Sequence, residues 1–371
     1  MQVALIHDWL TGMRGGEKCL EVFCELFPQA TLFTLLHKRG ALSPVIERMK
    51  IRTSFVQRFP RAETWYRNYL PFFPAAIEAF DLQEFDLVLS SSHCVAKGIV
   101  PAPNAVHICY CHTPMRYIWD VYHHYFSPQR IGSLARLTLP YVANYLRTWD
   151  VTSAQRVDYF IANSKHVQRR IRRYYRREAE VIHPPVDCSQ FPLADGDDGY
   201  FLMVSALAPY KRVDLAVEAF NRLGERLIIV GDGPQLKALQ KIAGRNIEFM
   251  RWQNEVELAR SYARCRALIF PGEEDFGIVP LEAQACGKPV IAYAAGGALE
   301  TVKNVSSENK IGTGIFFDQP TPESLIDAVH RLKPLEFDAQ QIRAHALQFD
   351  RAIFKDKIKR FIAETYEKHQ T

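Results

Sequence analysis

The chain has 371 residues, a hydrophobic fraction of 48%, a charged fraction of 23% and a formal net charge of +5. That length allows two domains of ordinary size, each with its own core, and the composition is that of a soluble globular protein. An isoelectric point near 8.7 is too mild to imply a nucleic-acid partner, no apolar run is long enough for a bilayer span, and the start lacks a basic segment with a cleavage site, so the protein is expected to stay where it is made. The eight cysteines are scattered without a C-x-x-C pair, which argues for reduced thiols in a cytoplasm and against a zinc ribbon. Cys109 and Cys111 alternate along an apolar run and are read as core or site lining.

Residues 3–7 read as a short apolar strand, followed by a glycine-bearing loop with Gly12, Gly15 and Gly16 and then a helical pattern over 19–27. Strand, glycine loop and helix in that order leave main-chain N–H groups open to an anion or a sugar, although a plain tight turn has the same signature. The spacing is neither a dinucleotide fingerprint nor a P-loop. Between 52 and 80 the chain mixes cations with large rings, among them Phe55, Arg58, Phe59, Arg61, Trp65, Tyr66, Arg67, Tyr69, Phe72 and Phe73. Such a mixture suits either a peripheral membrane surface or core packing. Two further strands, 85–92 and 105–111, end in polar residues, and the second runs into His112-Thr113-Pro114. Ligands of open α/β sheets bind beyond the carboxyl ends of strands, which makes His112 a candidate site residue. A strand and turn at 158–164 precede a dense basic helix with Lys165, Arg169, Arg170, Arg172, Arg173, Arg176 and Arg177. That run is a solvated face, a dock for anionic lipid or, more remotely, for nucleic acid. The polar stretch 194–199 reads as the connector between domains.

The second half repeats the scheme. A strand at 200–205 leads through a loop to Lys211 and Arg212, at the start of a helix over 213–223, where a cation can pair with a diphosphate. Strands at 226–230 and 247–250 follow, the latter leading into Arg251 and Trp252. The strand 267–270 opens into the acidic turn Glu273-Glu274-Asp275-Phe276-Gly277 and a helix that carries Glu282, roughly two turns beyond Glu274. A strand at 289–292, a Gly296-Gly297 turn and a long final helix from 349 complete the chain. Alternation of strand and helix predicts an α/β fold of two Rossmann-like domains with parallel sheets, facing one another across a cleft. The expected division is residues 1–193, residues 194–348, and a C-terminal helix over 349–371 that packs near or onto the first domain.

On these residues the chain resembles the retaining glycosyltransferases of the GT-B fold, family 4, over nearly its full length. The E-x7-E pattern from Glu274 to Glu282 carries most of the likeness, with Gly287-Lys288-Pro289, Gly296-Gly297, Gly231-Asp232-Gly233-Pro234 and Lys211 in order around it. His112-Thr113-Pro114, Pro209-Tyr210-Lys211-Arg212 and His183-Pro184-Pro185 resemble the bacterial mannosyltransferases of O-antigen and exopolysaccharide synthesis. The resemblance implies that Glu274 holds hydroxyls of the donor sugar and Glu282 the ribose, and that Lys211 with Arg212 neutralises the leaving diphosphate. It further implies that main-chain N–H groups of Phe276, Gly277, Ile278 and Val279 support sugar and phosphate, that His112 lies near the anomeric centre, and that Gly15 and Gly16 admit the phosphates. Arg251 joins the donor side, and Arg116, Tyr117 and Trp119 the acceptor side. One departure stands out: many members have an arginine five residues before the lysine, where this chain has Ala206, so either Arg212 takes over its charge or the phosphate is held less tightly.

The expected reaction moves a hexose, mannose from GDP-mannose as first choice, to a growing lipid-linked glycan, with peripheral contact to anionic membrane at the inner face of the cytoplasmic membrane. Fixed cations and N–H dipoles stabilise a leaving diphosphate directly, so neither a metal nor another cofactor is expected beyond the nucleotide-sugar. A glycosidase instead needs two carboxyl groups flanking the bond, about 5 or 6.5–9.5 Å apart, whereas Glu274 and Glu282 follow one another along a turn and helix. A UDP-sugar donor and a non-catalytic nucleotide or glycan sensor are the rival readings.

Overall fold

The computed structural model describes residues 1–120, 122, 133–194, 196–305 and 311–370. Asp195 of the expected connector and Thr371 of the last helix lie outside them. Two compact units emerge, Met1–Pro184 with Lys355–Thr371, and Pro185–Phe354. The stretch 194–199 lies inside the second unit.

The first unit carries seven strands: β1 (Val3–His7), β2 (Thr31–Thr34), β3 (Lys50–Thr53), β4 (Leu87–Ser92), β5 (Val106–Cys111), β6 (Tyr159–Ala162) and β7 (Ala179–Val181). They form one parallel sheet in the order β3-β2-β1-β4-β5-β6-β7. β1, β2, β4 and β5 are buried at every position, so both faces of the sheet are covered, and their polar members, among them His7, Ser90, Ser91 and His107, are buried with the apolar ones. Its long helices are α1 (Gly15–Leu26), α2 (Ser133–Ala154) and α3 (Lys165–Tyr175). α1 buries Cys19, Leu20, Val22 and Phe23, a helical stripe turned to the core. Ser164 caps α3 by accepting from the Val167 N–H at 3.0 Å.

A buried ion pair locks this unit internally. Lys97 places all three ammonium donors, at 2.8 Å on Asp150 Oδ1, 3.0 Å on the Asp150 carbonyl and 2.8 Å on Ser153 Oγ. Asp150 also accepts from the Tyr175 hydroxyl and, at 2.8 Å, from Trp119 Nε1. Every charge is matched, the condition under which a buried pair is tolerated. The ring-rich segment 52–80 is divided between core and surface. Tyr66 and Phe73 are buried, while Phe55, Trp65 and Phe72 are 40%, 48% and 51% exposed beside the exposed Arg58, Arg61 and Arg67.

The second unit has β8 (Tyr200–Val204), β9 (Arg226–Val230), β10 (Ile247–Met250), β11 (Ala267–Phe270), β12 (Val290–Tyr293) and β13 (Gly314–Phe317), parallel in the order β10-β9-β8-β11-β12-β13. Its principal helices are α4 (Val213–Leu223), α5 (Glu255–Arg264) and α6 (Ile278–Ala285). Asn254 and Glu257 form a reciprocal capping box at the start of α5. The entering and leaving segments are tied together, since the Val186 N–H donates to the Phe349 carbonyl at 3.1 Å and the Arg351 N–H to the Val186 carbonyl at 3.0 Å. The last helix, α7 (Arg351–Gln370), passes from Lys355 onward into the first unit, where Lys355 meets Glu25 at 2.9 Å and Phe361 meets Tyr159 edge-on. Among the described residues no helix is long and apolar enough to cross a membrane.

Each sheet reverses its winding once, at β1/β4 in the first unit and at β8/β11 in the second. In open parallel sheets the crevice at such a reversal, beyond the carboxyl ends of the strands, is where ligands bind.

Candidate functional site

At the β1/β4 reversal the chain gathers histidines and carboxylates. β1 ends on His7, followed by Asp8, and both are fully buried. The Asp8 carboxylate accepts main-chain N–H bonds from His93, Cys94, Val95 and Ala96, at 2.6–3.0 Å, and faces His93 Nδ1 at 3.0 Å. Burial alone would raise its pKa, but the His93 charge and hydrogen bond, His7 and the backbone donors outweigh burial and hold it well below the carboxylate range. The His93 ring is edge-on to Trp9 at 4.4 Å. His112 follows β5, and its Nε2 lies 2.8 Å from Ser91 Oγ, an oxygen that is also 3.1 Å from His7 Nδ1. Asn163 Nδ2 donates to the His112 carbonyl at 2.9 Å. Burial, with the neighbouring His93 and His7, lowers the His112 pKa to about 3, so this imidazole is neutral near pH 7.

The start of α1 faces these rings. A Cβ on Gly16 would stand 3.5 Å from His7 Cε1 and 3.6 Å from His112 Nε2, so glycine keeps the helix N-terminus open beside them. Arg14 precedes the helix without a side-chain cap bond, and the Glu17 carboxylate bonds its own main-chain N–H in the first turn. Glu17, also buried, has its pKa lowered: burial opposes the shift, but the nearby His7 imidazole, 3.7 Å away, and the charge of His93 prevail.

The loop after β5 is held from α3. Arg170, buried within the basic helix, bonds Thr113 Oγ1 and pairs with Asp120, which also accepts from Tyr174. Lys165, Arg169, Arg172, Arg173 and Arg176 are exposed, while Arg177 donates to the Val157 carbonyl at 2.6 Å and the Asp158 carbonyl at 3.0 Å, so the basic run is a solvated face with two inward arms. Trp119, stacked on Tyr174 with ring centroids 4.7 Å apart, donates into the Asp150 cluster, and the Tyr117 hydroxyl bonds Cys94 Sγ. Arg116 is half-buried beside them in sequence.

At the β8/β11 reversal, Lys211 closes a short 3-10 turn, Pro209–Lys211, and its ammonium pairs with Glu274 Oε1; the two side chains are 20% and 17% exposed. Arg212 adopts a left-handed conformation at φ +54° and begins α4. Its guanidinium lies 3.4 Å from Asp214 Oδ1 and 3.4 Å from the Pro320 carbonyl. Ala206 is exposed in the loop leaving β8. Gly277, at φ +93°, caps α6 without any side-chain cap bond, so no capping side chain covers the N–H groups of its first turn, which begins at Ile278 and Val279. The Gly296-Gly297 turn supports this loop from behind. The Gly297 N–H donates to the Glu274 carbonyl at 2.8 Å, and a Cβ there would lie 2.2 Å from Phe276 Cα. Glu282, buried on α6, accepts from the Tyr262 hydroxyl at 2.8 Å on Oε2, and Tyr262 is raised well above its usual pKa by burial and that carboxylate. Arg251 is exposed just beyond β10.

The fold thus places His112 beside Gly16 at the start of α1, which Gly15 opens, and pairs Lys211 with Glu274 on the loop that runs through Phe276 and Gly277 into α6, where Ile278 and Val279 begin the helix and Glu282 turns to Tyr262. Sequence reasoning missed His7, Asp8, Glu17, Ser91 and His93, although the strand-end rule that found His112 applies equally to Asp8 and to the serines closing β4. The run 195–198 does contain a D-x-D spacing, Asp195-Gly196-Asp197; Asp197 accepts from the Gly199 N–H at 2.7 Å and faces Arg266 at 3.5 Å. Among the described residues no cluster of three or more His, Cys, Asp or Glu is placed to hold a metal ion.

Comparison with known proteins agrees on the class. Residues 29–190 match the family described as Glycosyltransferase Family 4, and residues 189–348 the family described as Glycosyl transferases group 1. An uncharacterised glycosyltransferase of Methanocaldococcus jannaschii is 24% identical over 271 residues, 67% of this chain and 74% of that protein. A GDP-mannose-dependent phosphatidylinositol monomannoside mannosyltransferase of Mycolicibacterium smegmatis is 36% identical over 125 residues, 29% of this chain and 33% of its own length. Among solved structures, HepE of Anabaena in complex with UDP superposes with a TM-score of 0.70 at 16% identity, covering 98% of this chain and 100% of that one, a likeness of fold.

Proposed function

From the premise that the chain is a glycosyltransferase of GT-B type with a family 4 half and a group 1 half, we propose that it transfers mannose from GDP-mannose, with retention of configuration, to a growing lipid-linked glycan. The observation that supports this reading is the convergence of Lys211, Glu274 and the open start of α6 at one strand reversal. A cation, a carboxylate and free N–H dipoles together suit a nucleotide-sugar: diphosphate to the first, sugar hydroxyls to the second, and either to the third. In this reading the diphosphate parts Lys211 from Glu274, and each takes its ligand group. Tyr262 steadies Glu282 for the ribose hydroxyls. His112, neutral near pH 7, meets the sugar beside the anomeric centre without repelling the oxocarbenium character that builds there.

Chemically, the acceptor hydroxyl oxygen bonds to the anomeric carbon on the face the diphosphate leaves, the bond to the diphosphate oxygen breaks, and the hydroxyl proton passes to the leaving phosphate. Lys211, with help from Arg212, and the α6 N–H groups hold the charge that develops. The reading needs no metal ion. The GDP-mannose assignment draws on the motifs around His112 and Lys211 and on the partial likeness to the mycobacterial mannosyltransferase. A lipid-linked acceptor is supported by the exposed Phe55, Trp65 and Phe72 among Arg58, Arg61 and Arg67, a composition that suits peripheral contact with anionic lipid. Arg116, with Tyr117 and Trp119, is proposed to border the acceptor.

Nucleotide release from a panel of GDP- and UDP-sugars tests the donor. Release from GDP-mannose above the others is expected, and release from UDP-sugars alone overturns the mannose assignment. The anomeric configuration of the product, read by NMR, tests retention; an inverted linkage overturns it.

A further inference from the structure

Two histidines at the β1/β4 reversal stand in opposite electrostatic settings. His112 is backed by a serine hydroxyl and by other imidazoles; His93 is backed by a buried carboxylate. Four main-chain N–H bonds and full burial fix Asp8, so the carboxylate has no freedom to turn away from His93 Nδ1. With Nδ1 committed as donor to Asp8, Nε2 is the ring nitrogen left for another partner, and the side chain as a whole is 29% exposed. The ring centroid lies 6.1 Å from that of His7 and 6.4 Å from that of His112, and those two rings touch the Gly16 end of α1. His7 adds a second sign of an unfilled place: its Nε2 is buried without a hydrogen-bond partner, 3.7 Å from Glu17 Oε1.

We propose that His93 is an anion-binding residue, its Asp8-held imidazolium offering Nε2–H to a phosphate oxygen of the ligand alongside the open N-terminus of α1. Phosphate oxygens come from two sources in the proposed reaction, the donor's diphosphate and a phosphate-linked acceptor, and the chemistry His93 offers is the same for both. The inference rests on the reading that a nucleotide-sugar is used. The groups that set the charge of His93 come from every element packed around it. His7 ends β1 and Asp8 follows it, Glu17 belongs to α1, Arg14 precedes α1, Cys94 is the next residue after His93, and His112 follows β5. Burial works against the imidazolium, but the Asp8 charge and hydrogen bond and the Glu17 charge outweigh burial and the opposing Arg14, so the pKa is raised. His112 moves the other way. A pair of imidazoles driven apart in this manner divides its work, the neutral ring for hydroxyls and the charged ring for an anion.

The test uses the full chain labelled with 15N-histidine, its His93 signals assigned by comparison with His93→Gln. Without ligand, His93 is expected to remain an imidazolium past the pH at which free histidine titrates, and to do so further on adding GDP or UDP. Binding of GDP, UDP and isopentenyl diphosphate is then measured by calorimetry from pH 6 to 9. For the wild-type chain affinity falls as the imidazolium is lost; for His93→Gln it is weaker by on the order of tenfold and flat with pH. Loss confined to the nucleotides assigns the donor's phosphate, and loss confined to isopentenyl diphosphate the acceptor's. Titration of His93 at or below the free-histidine value overturns the proposal without any variant. Unchanged affinity and pH profile in His93→Gln, with the wild-type chain binding normally, overturns it and leaves the glycosyl-transfer reading standing. Failure of the wild-type chain to bind any of the three overturns both.

Discussion

The two strand reversals occupy equivalent places in their sheets and handle charge in opposite ways. At β1/β4 each charged group is held by a buried carboxylate or is one: Asp8 sits in a cage of N–H groups, His93 is fixed against Asp8 and partly exposed, and Glu17 lies near His7. At β8/β11 Lys211 and Glu274 are partners of each other and remain about one fifth exposed. The first arrangement is pre-organised, and disturbing it is felt in folding. The second is a pair that ligand groups can replace, since an ion pair that water reaches adds little stability. One topology thus carries a rigid half and an exchangeable half.

The largest effect sharpening this contrast is expected away from either reversal. Asp150→Ala leaves the Lys97 ammonium and the donors of Tyr175 and Trp119 buried without their carboxylate, at a cost of roughly 3–5 kcal/mol in denaturant unfolding. A loss under about 1 kcal/mol would mean that the first unit is not built on matched buried charge. Lys211→Ala, by contrast, should lower kcat/KM by on the order of 10²–10³-fold with little change in melting temperature. A large drop in melting temperature there would erase the distinction between the two halves. Within the second unit, Glu274→Ala should reduce turnover more than nucleotide affinity, and Glu282→Ala the reverse, by on the order of tenfold in the affected quantity. Equal effects on both quantities would show that the two carboxylates do not divide sugar from ribose.

The smallest effect is with pH. His107 and His345 are depressed to about 4 and His112 to about 3, burial being the leading cause in each. The unfolded chain takes up these protons near pH 6.5 and the folded chain does not, so stability falls as pH drops from 7 toward 4, by roughly 1–2 kcal/mol for each histidine at pH 5. His93 acts with the opposite sign: its raised pKa contributes stability below the unfolded value, and that contribution is lost as pH rises through the folded one. Urea midpoints at pH 5, 6, 7 and 9 check both arms, and a flat acid arm would mean that the buried histidines are protonated in the folded chain.

The alternation of apolar strands with amphipathic helices was legible because strands covered on both faces are mostly apolar: β8 and β11 are so throughout, and β1 and β5 each carry a single histidine. The glycines, Lys211, Glu274 and Glu282 stood out as candidates in the sequence because a glycine-bearing helix start and a charged turn leave a local signature. The basic helix misled in part: composition marks Arg170 as one cation among several, whereas its place on the inward face makes it the brace of the loop after His112. The ring-rich segment was ambiguous for the same reason, since Tyr66 and Trp65 are neighbours in sequence and sit on opposite sides of the surface. The sequence by itself determined two parallel α/β units and the loops that end their strands, because periodicity, turn chemistry and short-range spacing are local properties. Only the tertiary structure decided that His93 donates to Asp8, eighty-odd residues away, while His112 beside them stays neutral. Burial and charge pairing depend on which strand ends lie side by side, and the crossover from β3 back to β4 sets that order.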